Sequence, residues 1–342
     1  MKTRDLRLLI LHVSTRCDQT CAHCSIWRST PSVTPECGLA DRLGFIEAAA
    51  SEGATTVLFT GGEPLLCDHI EALARRAKAL GLTVHLATNG LGLGRAASWV
   101  GECVDEVFVS LEGPADIHDR VRGPRMTARL QAALGEVARL ARRPRLVARN
   151  TLTGLNASAL EGTVAMAREM GFDAVSFLPV DTSSSAFGGR PAERGRLRPG
   201  AADVAALRRS ILYLASAGEL GGFVLESEEK LMSMTDALAL APDRVAPRCN
   251  APEWSVVVEA DGALRPCFFQ PAVAAGRGSG LGAARRSEPW AKALEGLGPQ
   301  DATCSACVCA KYLETQAPSI AERAARTLGA SLPGWLPRMG AA

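Results

Sequence analysis

The 342-residue chain has almost no charge of either sign to spare, since 38 Lys and Arg stand against 36 Asp and Glu, a net of +2. So even a balance gives no field that would gather a polyanion or an anionic bilayer, and nucleic acid and membrane surface drop out as partners. Long apolar runs are missing too. Met1-Lys-Thr-Arg-Asp-Leu-Arg leads into an apolar run over residues 6 to 13 that Ser14 and Arg16 close, too short for a signal peptide or a membrane span. A cytoplasmic location is expected. What the chain has in quantity is cysteine, 11 in all. In a long chain without an export signal these point to metal ligation in a reducing compartment rather than to disulfides.

Three of them stand in Cys17-Asp-Gln-Thr-Cys21-Ala-His-Cys24. A loop of that spacing wraps three corners of an iron-sulfur cubane, and because a [4Fe-4S] cluster takes four ligands, one iron is left open for an outside ligand. The competing readings are a zinc site or buried thiols. Zinc sites pair Cys-x2-Cys units and close four ligands, and no fourth Cys or His of matching spacing follows nearby.

Residues 6–13 form a nearly continuous apolar run, the pattern of a strand buried on both faces. Strands at 56–60, 82–88, 106–111, 145–151 and 174–179 alternate with helical periodicity at 39–52, 68–80, 93–100, 127–141 and 157–170. Repeated strand-helix units with short links predict parallel pairing and right-handed crossovers, hence an α/β fold, a partial (β/α)6 TIM-like barrel. Ligands of such sheets collect beyond the carboxyl ends of the strands. Gly61-Gly62-Glu63 ends strand two, Thr88-Asn89-Gly90 ends strand three, and Val109-Ser110-Leu111-Glu112-Gly113-Pro114 with His118-Asp119-Arg120-Val121-Arg122-Gly123 follows strand four.

These motifs, with the three-cysteine loop and His23 before its third cysteine, resemble the radical S-adenosylmethionine (SAM) superfamily. The resemblance covers residues 6 to about 312 and implies that Cys17, Cys21 and Cys24 hold a [4Fe-4S] cluster whose open iron chelates SAM. It further implies that Gly61, Gly62 and Glu63 meet the methionine ammonium, that Asn89 belongs to the family's Thr-Asn-Gly stretch, and that Ser110 makes a polar contact to SAM. Arg122 faces the SAM carboxylate or pins its loop by a salt bridge. Asn150 and Leu178 are weaker candidates for ribose and adenine, and Glu112 stands where the family more commonly has Asp.

Residues 181–200 lack periodicity and are rich in Ser, Gly, Pro and Arg; a loop that long is usually functional or disordered, and at a barrel mouth it is expected to cover substrate, with Arg190, Arg194, Arg196 and Arg198 read first as a solvated charge run and, as the alternative, as a site for an anion. Helical patterns return at 201–217 and 226–240. A β-hairpin turning at Asp261-Gly262 then folds Cys249 and Cys267 toward each other, and with Cys304-x2-Cys307 they make four thiolates able to close a tetrahedral site or a cubane. The pattern resembles the start of a SPASM motif. With five cysteines rather than seven it is more like the shorter twitch domain, which implies one auxiliary [4Fe-4S] cluster, structural zinc being the alternative. Cys309 is surplus, as ligand, free thiol or filler. Cys37, near the first loop, is the second spare thiol, while Cys67 and Cys103 read as small buried hydrophobes. The expected division is a barrel at 1–200, a helical linker at 201–246, a twitch-like hairpin-and-helix domain at 247–318 and a helix and tail at 319–342.

The resemblance implies an enzyme that cleaves SAM reductively to a 5'-deoxyadenosyl radical, with flavodoxin or ferredoxin as reductant. Net oxidation or coupling of a small molecule of natural-product, sugar or cyclitol type is expected, since the auxiliary cluster would accept the electron. Sulfatase-type maturation is disfavoured because Phe268 stands where those relatives carry an acid. With a first strand by residue 6 and a short tail, no added peptide-binding module is expected, which tilts the reading toward a small molecule or a peptide delivered by another protein. Maturation of a ribosomal peptide, epimerisation with Cys309 or Cys37 returning hydrogen, and a non-enzymatic iron-sulfur scaffold are the alternatives.

Overall fold

The computed structural model describes residues 6–28, 35–241, 249, 251–276, 280–298, 301–305 and 307. Six strands follow one another in the order of the chain: β1 (Leu8–Ser14), β2 (Thr56–Gly61), β3 (Thr83–Thr88), β4 (Glu106–Ser110), β5 (Arg145–Leu152) and β6 (Ala174–Pro179). Each pairs in parallel with the next, as expected of buried strands joined by helical crossovers. The curved α/β sheet is a partial barrel. Every residue of β1 is buried. Leu9, Leu11 and Val13 face the helical layer, and Leu8 and Ile10, with opposite parity, meet Val257 across the barrel side.

The crossovers are α1 (Leu39–Ser51), α2 (Ile70–Ala79), α3 (Leu93–Cys103), α4 (Ala115–Arg122), α5 (Met126–Ala138) and α6 (Leu160–Glu169). The short α4, formed by the motif that follows strand four, is not among the helices expected from the sequence. Asp119 on α4 accepts hydrogen bonds from the Arg125 and Thr127 amides and the Thr127 hydroxyl, so it fixes the start of α5. Expected ends elsewhere differ by a few residues; α6, for instance, is preceded by a separate 3₁₀ turn at Ala157–Ala159.

The loop after β6 carries α7 (Pro191–Gly195), and α8 (Ala201–Ser216) and α9 (Glu228–Ala239) follow. The α9 helix is capped by the Ser227 hydroxyl, which accepts from the Lys230 amide. The hairpin is formed by β7 (Ser255–Val258) and β8 (Ala263–Arg265), with a two-residue β9 (Ala274–Ala275) beyond. Gly262 takes φ of 86° at its turn, a region that favours glycine. β7 pairs in parallel with β1, so the hairpin extends the barrel sheet through main-chain hydrogen bonds, in the order β6-β5-β4-β3-β2-β1-β7-β8-β9.

Candidate active site

The cysteine loop leaves the carboxyl end of β1 and is fixed at its root by Glu36. That carboxylate accepts from the Thr15 amide at 2.7 Å, the Thr15 hydroxyl at 2.8 Å and the Ser14 hydroxyl at 3.2 Å. The two glycines at the carboxyl end of β2 then run against the main chain at the root of that loop. The Gly62 amide donates to Ser14 O at 2.7 Å and the Glu63 amide to Arg16 O at 2.8 Å. A Cβ on Gly61 would lie 2.4 Å from Ser14 O, and one on Gly62 2.3 Å from Arg16 O. Only a residue without a side chain allows two backbones so close.

Glu63 is buried and accepts three hydrogen bonds, from the Leu65 amide and the Thr88 hydroxyl on Oε1 and from the Asn89 amide on Oε2. Burial still outweighs them and pushes its carboxyl up to about 7. A carboxylate offers about four acceptor positions, so one on Oε2 stays open to an ammonium donor. Asn89 closes the circle: its Nδ2 donates to Asp18 Oδ1 at 2.7 Å, inside the cysteine loop. The loop, Gly61-Gly62-Glu63 and Thr88-Asn89 are therefore one hydrogen-bonded unit at the ends of β1, β2 and β3.

Beneath that unit Arg122 is buried. Its Nε and Nη2 donate to Glu112 Oε1 at 2.9 and 2.5 Å, and its Nη1 donates to Gln19 Oε1, at 2.9 Å. The guanidinium thus pins the loop from below, and these bonds place it in a salt bridge. Glu112 is fully buried, takes a further hydrogen bond from the Thr151 amide, and is held below the usual carboxylate range by Arg122 despite the burial that opposes it. The Cys21, Glu112 and Cys24 groups around Arg122 raise its own affinity for the proton against its burial. His118 accepts from the Glu112 amide at 3.1 Å, and burial lowers it to about 4. Burial also lowers His23 to about 4; its Nε2 lies 3.7 Å from Glu112 Oε1.

Ser110 donates weakly to Thr88 O at 3.4 Å. Asn150 is buried in the ends of β4 and β5, donating to Leu111 O at 2.9 Å, and Leu178 is half-buried on β6.

Burial pushes the Cys17 thiol up to about 12 and raises Cys21 and Cys24 as well, with the Arg122 charge pulling the latter two down. The donor set fits a cubane. The three sulfurs stand in one short loop, each of Cys17 and Cys24 feels the charge of Cys21, and a buried guanidinium lies below to offset the anionic thiolates. Among the described residues no three His, Cys, Asp or Glu side chains converge on one point as ligands of a single ion. Corner ligands of a cubane bind different irons and need no such convergence.

Downstream, Gln270 links the segment after Cys267 to the turn holding Cys304 and Cys307. Its Nε2 donates to Asp301 Oδ1 at 2.8 Å and lies 3.5 Å from Cys304 Sγ, and the Cys307 amide donates to Cys304 O. Cys249 is exposed and its sulfur accepts from the Ala251 amide. Cys309 lies outside the described residues.

Three sequence expectations change here. Arg194 is no anion trap: it is 1% exposed, and its guanidinium donates to Asp181 Oδ2 and to the carbonyls of Asp181, Ser184 and Phe187. A buried charge keeps its ionised form only where its donors are matched, and this pair holds residues 181–194 together. Arg190 pairs with Glu193, and Arg198 donates to the Thr182 hydroxyl. Cys37, the second spare thiol, sits on the helix side of the sheet next to Phe45 rather than among the barrel-facing residues. There it lines a cavity of about 260 Å³ with Glu36, Arg42, Cys67 and His69.

The 181–198 loop closes on the cysteine loop, with the Ser25 amide donating to Phe187 O at 2.8 Å and Gly188 so near that a Cβ would meet Ser25 C at 2.3 Å. Sequence reasoning passed over Glu36, Gln19, Phe187 and the pair His12 and Glu259. The signal for His12 was present, as the one ionisable residue within the apolar run of β1.

Residues 11–167 match the model of the radical SAM superfamily. The pre-heme d1 synthase of Dinoroseobacter shibae is 31% identical over 169 residues, 48% of this chain and 41% of that protein. The PqqA peptide cyclase of Xanthomonas campestris is 27% identical over 171 residues, 49% of this chain and 45% of that one. Such matches span less than half of those relatives. Streptococcus suis SuiB bound to S-adenosylmethionine shares the fold over 90% of this chain and 72% of its own, with a TM-score of 0.64 and 14% identity.

Proposed function

We propose that this chain, whose residues 11–167 form a radical SAM domain, is an enzyme that cleaves SAM reductively and removes hydrogen from a bound substrate. Cys17, Cys21 and Cys24 would hold a [4Fe-4S] cluster, which would supply the electron for reductive cleavage of the SAM sulfonium and so the radical that removes the substrate hydrogen. The single observation that carries this reading is the closed hydrogen-bonded unit of cysteine loop, Gly-Gly-Glu and Thr-Asn-Gly. It holds three thiols and one open carboxylate acceptor at the same end of the sheet. The chain's own part is positional. Glu36 roots the loop, Glu63 offers Oε2 to the SAM ammonium, Asn89 ties that acid to Asp18, and Arg122 balances the thiolates from below. Ser110, Asn150 and Leu178, at the ends of β4, β5 and β6, line the remaining rim of the SAM site.

An auxiliary cluster held by Cys249, Cys267, Cys304 and Cys307 would take an electron from the substrate radical, which favours net oxidation or coupling. The link from Gln270 to Asp301 and Cys304 supports that grouping. Epimerisation has less support, because Cys37 faces the helical layer. The substrate is read as a small molecule, and flavodoxin or ferredoxin as the electron source in the cell. Among the described residues no helix is long and apolar enough to cross a membrane. Anaerobically reconstituted protein given dithionite and SAM is expected to release 5'-deoxyadenosine, and the Cys17→Ala variant is expected not to. Iron-replete protein that leaves SAM intact would refute the reading.

A further inference from the structure

His12 stands on the barrel side of β1, in register parity with Leu8 and Ile10 and five residues before the first cysteine of the loop. It is 6% exposed. Its Nδ1 lies 3.0 Å from Glu259 Oε2, just past the end of β7, and the other oxygen of Glu259 is 2.5 Å from Arg265 Nε on β8. Paired on both oxygens, Glu259 is held below the usual carboxylate range against the burial that opposes it. An ionised carboxylate only accepts, so a ring proton stays on Nδ1 beside Glu259, and Nε2 is the ring nitrogen left for another partner, a bare acceptor in the imidazole form. That Nε2 is buried and has no hydrogen-bond partner among the described residues. A buried acceptor left unmatched costs stability, and proteins keep one where something else completes it.

What borders it is aromatic. The Phe268 ring lies 5.5 Å from His12, Phe187 lies 5.2 Å from Phe268, and Phe269 stands edge-on to Phe268 at 5.6 Å. All three phenylalanines are only partly buried, so the wall stays open on one side. Phe187 belongs to the loop that closes on Ser25, Phe268 and Phe269 follow Cys267, and His12 leads into Cys17; the acceptor lies where the two cysteine regions and the covering loop meet.

Taking the barrel mouth as the substrate site of the proposed function, we propose that His12 Nε2 receives a hydrogen bond from the substrate. The substrate then carries a hydroxyl or N–H donor beside a flat apolar group that packs on Phe268 and Phe187. Glu259 and Arg265 act as positioning residues, fixing the tautomer and orientation of the imidazole without touching the substrate.

The matched probes p-cresol and toluene differ by one hydroxyl donor, and calorimetric titration of the reconstituted full chain compares them. The ratio of p-cresol to toluene affinity is expected to fall about three- to tenfold in His12→Phe, which keeps a ring but loses the acceptor. His12→Gln, whose amide oxygen accepts, is expected to restore part of it. Phe187→Ala is expected to weaken both probes alike and leave the ratio, which keeps the test open should the His12 variants not fold. A ratio unchanged in His12→Phe, or no binding of either probe to the parent protein, overturns the site. Release of 5'-deoxyadenosine by the same preparations is scored separately. Its absence from the parent protein with the probe ratio intact sinks the radical reading and spares the acceptor site; the reverse result sinks only the site.

Discussion

Removing Arg122 without its partner puts the support beneath the cysteine loop to a direct test. In Arg122→Met the fully buried Glu112 loses two hydrogen bonds, at 2.9 and 2.5 Å, and keeps only that of the Thr151 amide, at 3.0 Å. Breaking one side of a buried pair costs about 3 to 5 kcal/mol, because the remaining charge is uncompensated. That corresponds to a fall in Tm on the order of 5 to 15 °C for a domain of this size. Joining Arg122→Met to Glu112→Gln removes the stranded charge while the amide oxygen still accepts from Thr151, so the double variant is expected within roughly 2 kcal/mol of the parent protein. The pH dependence has a definite sign. In the parent, Arg122 depresses the folded-state pKa of Glu112, so the stabilisation is present above the unfolded carboxylate range and is lost as pH falls through the folded value. In Arg122→Met the burial of Glu112 is opposed only by His23 and the Thr151 amide, its folded pKa rises, and the penalty is greatest at neutral pH and shrinks as pH falls toward the unfolded carboxylate range. Urea unfolding of both variants at pH 7 and at pH 4.5, under anaerobic conditions, measures all of this. A single variant that loses under 1 kcal/mol at pH 7, or a double variant no better than the single, would show that the pair does not carry the load assigned to it.

Gly62→Ala must displace the Arg16 carbonyl that a Cβ would approach to 2.3 Å, so iron bound by the cysteine loop is expected to fall sharply, whereas Gly135→Ala, whose Cβ meets open space, leaves iron content unchanged by colorimetric assay. Glu63→Gln forfeits a charge-assisted contact worth about 1.5 to 3 kcal/mol, which equilibrium dialysis should read as roughly 10- to 150-fold weaker SAM binding at full cluster content; equal affinity would leave Gly-Gly-Glu as a turn and nothing more. With two cubanes the reconstituted chain holds about eight irons, and joint replacement of Cys17, Cys21 and Cys24 by Ala leaves about four. A count of four in the intact protein would rule out the second cluster. Arg194→Met unties residues 181–194 from their own carbonyls, and limited proteolysis is expected to cut there in the variant before it cuts the parent.

The barrel and its rim were legible because each rests on residues with a single structural use. A run such as Leu8–Ser14, apolar in both parities, fits little but a parallel strand covered on both sides, and the structure buries all of it. Gly61 and Gly62 were found as a motif, and their reason is steric: two carbonyls of the cysteine loop occupy the space a side chain would need. Arginine, glutamate and histidine have many uses, and only their partners decide among them. Arg194 read as a surface cation is a buried staple because Asp181 and three carbonyls surround it, and Arg122 lies in a salt bridge because Glu112 and Gln19 reach it. Glu259 and His12 lie far apart in the chain, and nothing in either local sequence points to the other. They meet because β7 adds to β1 in register, Leu11 beside Val258, which brings the next residue of each strand to the same end of the sheet. The same pairing carries the hairpin that leads to Cys267 and Phe268 alongside β1, so one strand register decides both where Cys267 lies and which imidazole nitrogen Glu259 engages, leaving Nε2 unmatched beside the aromatic rings.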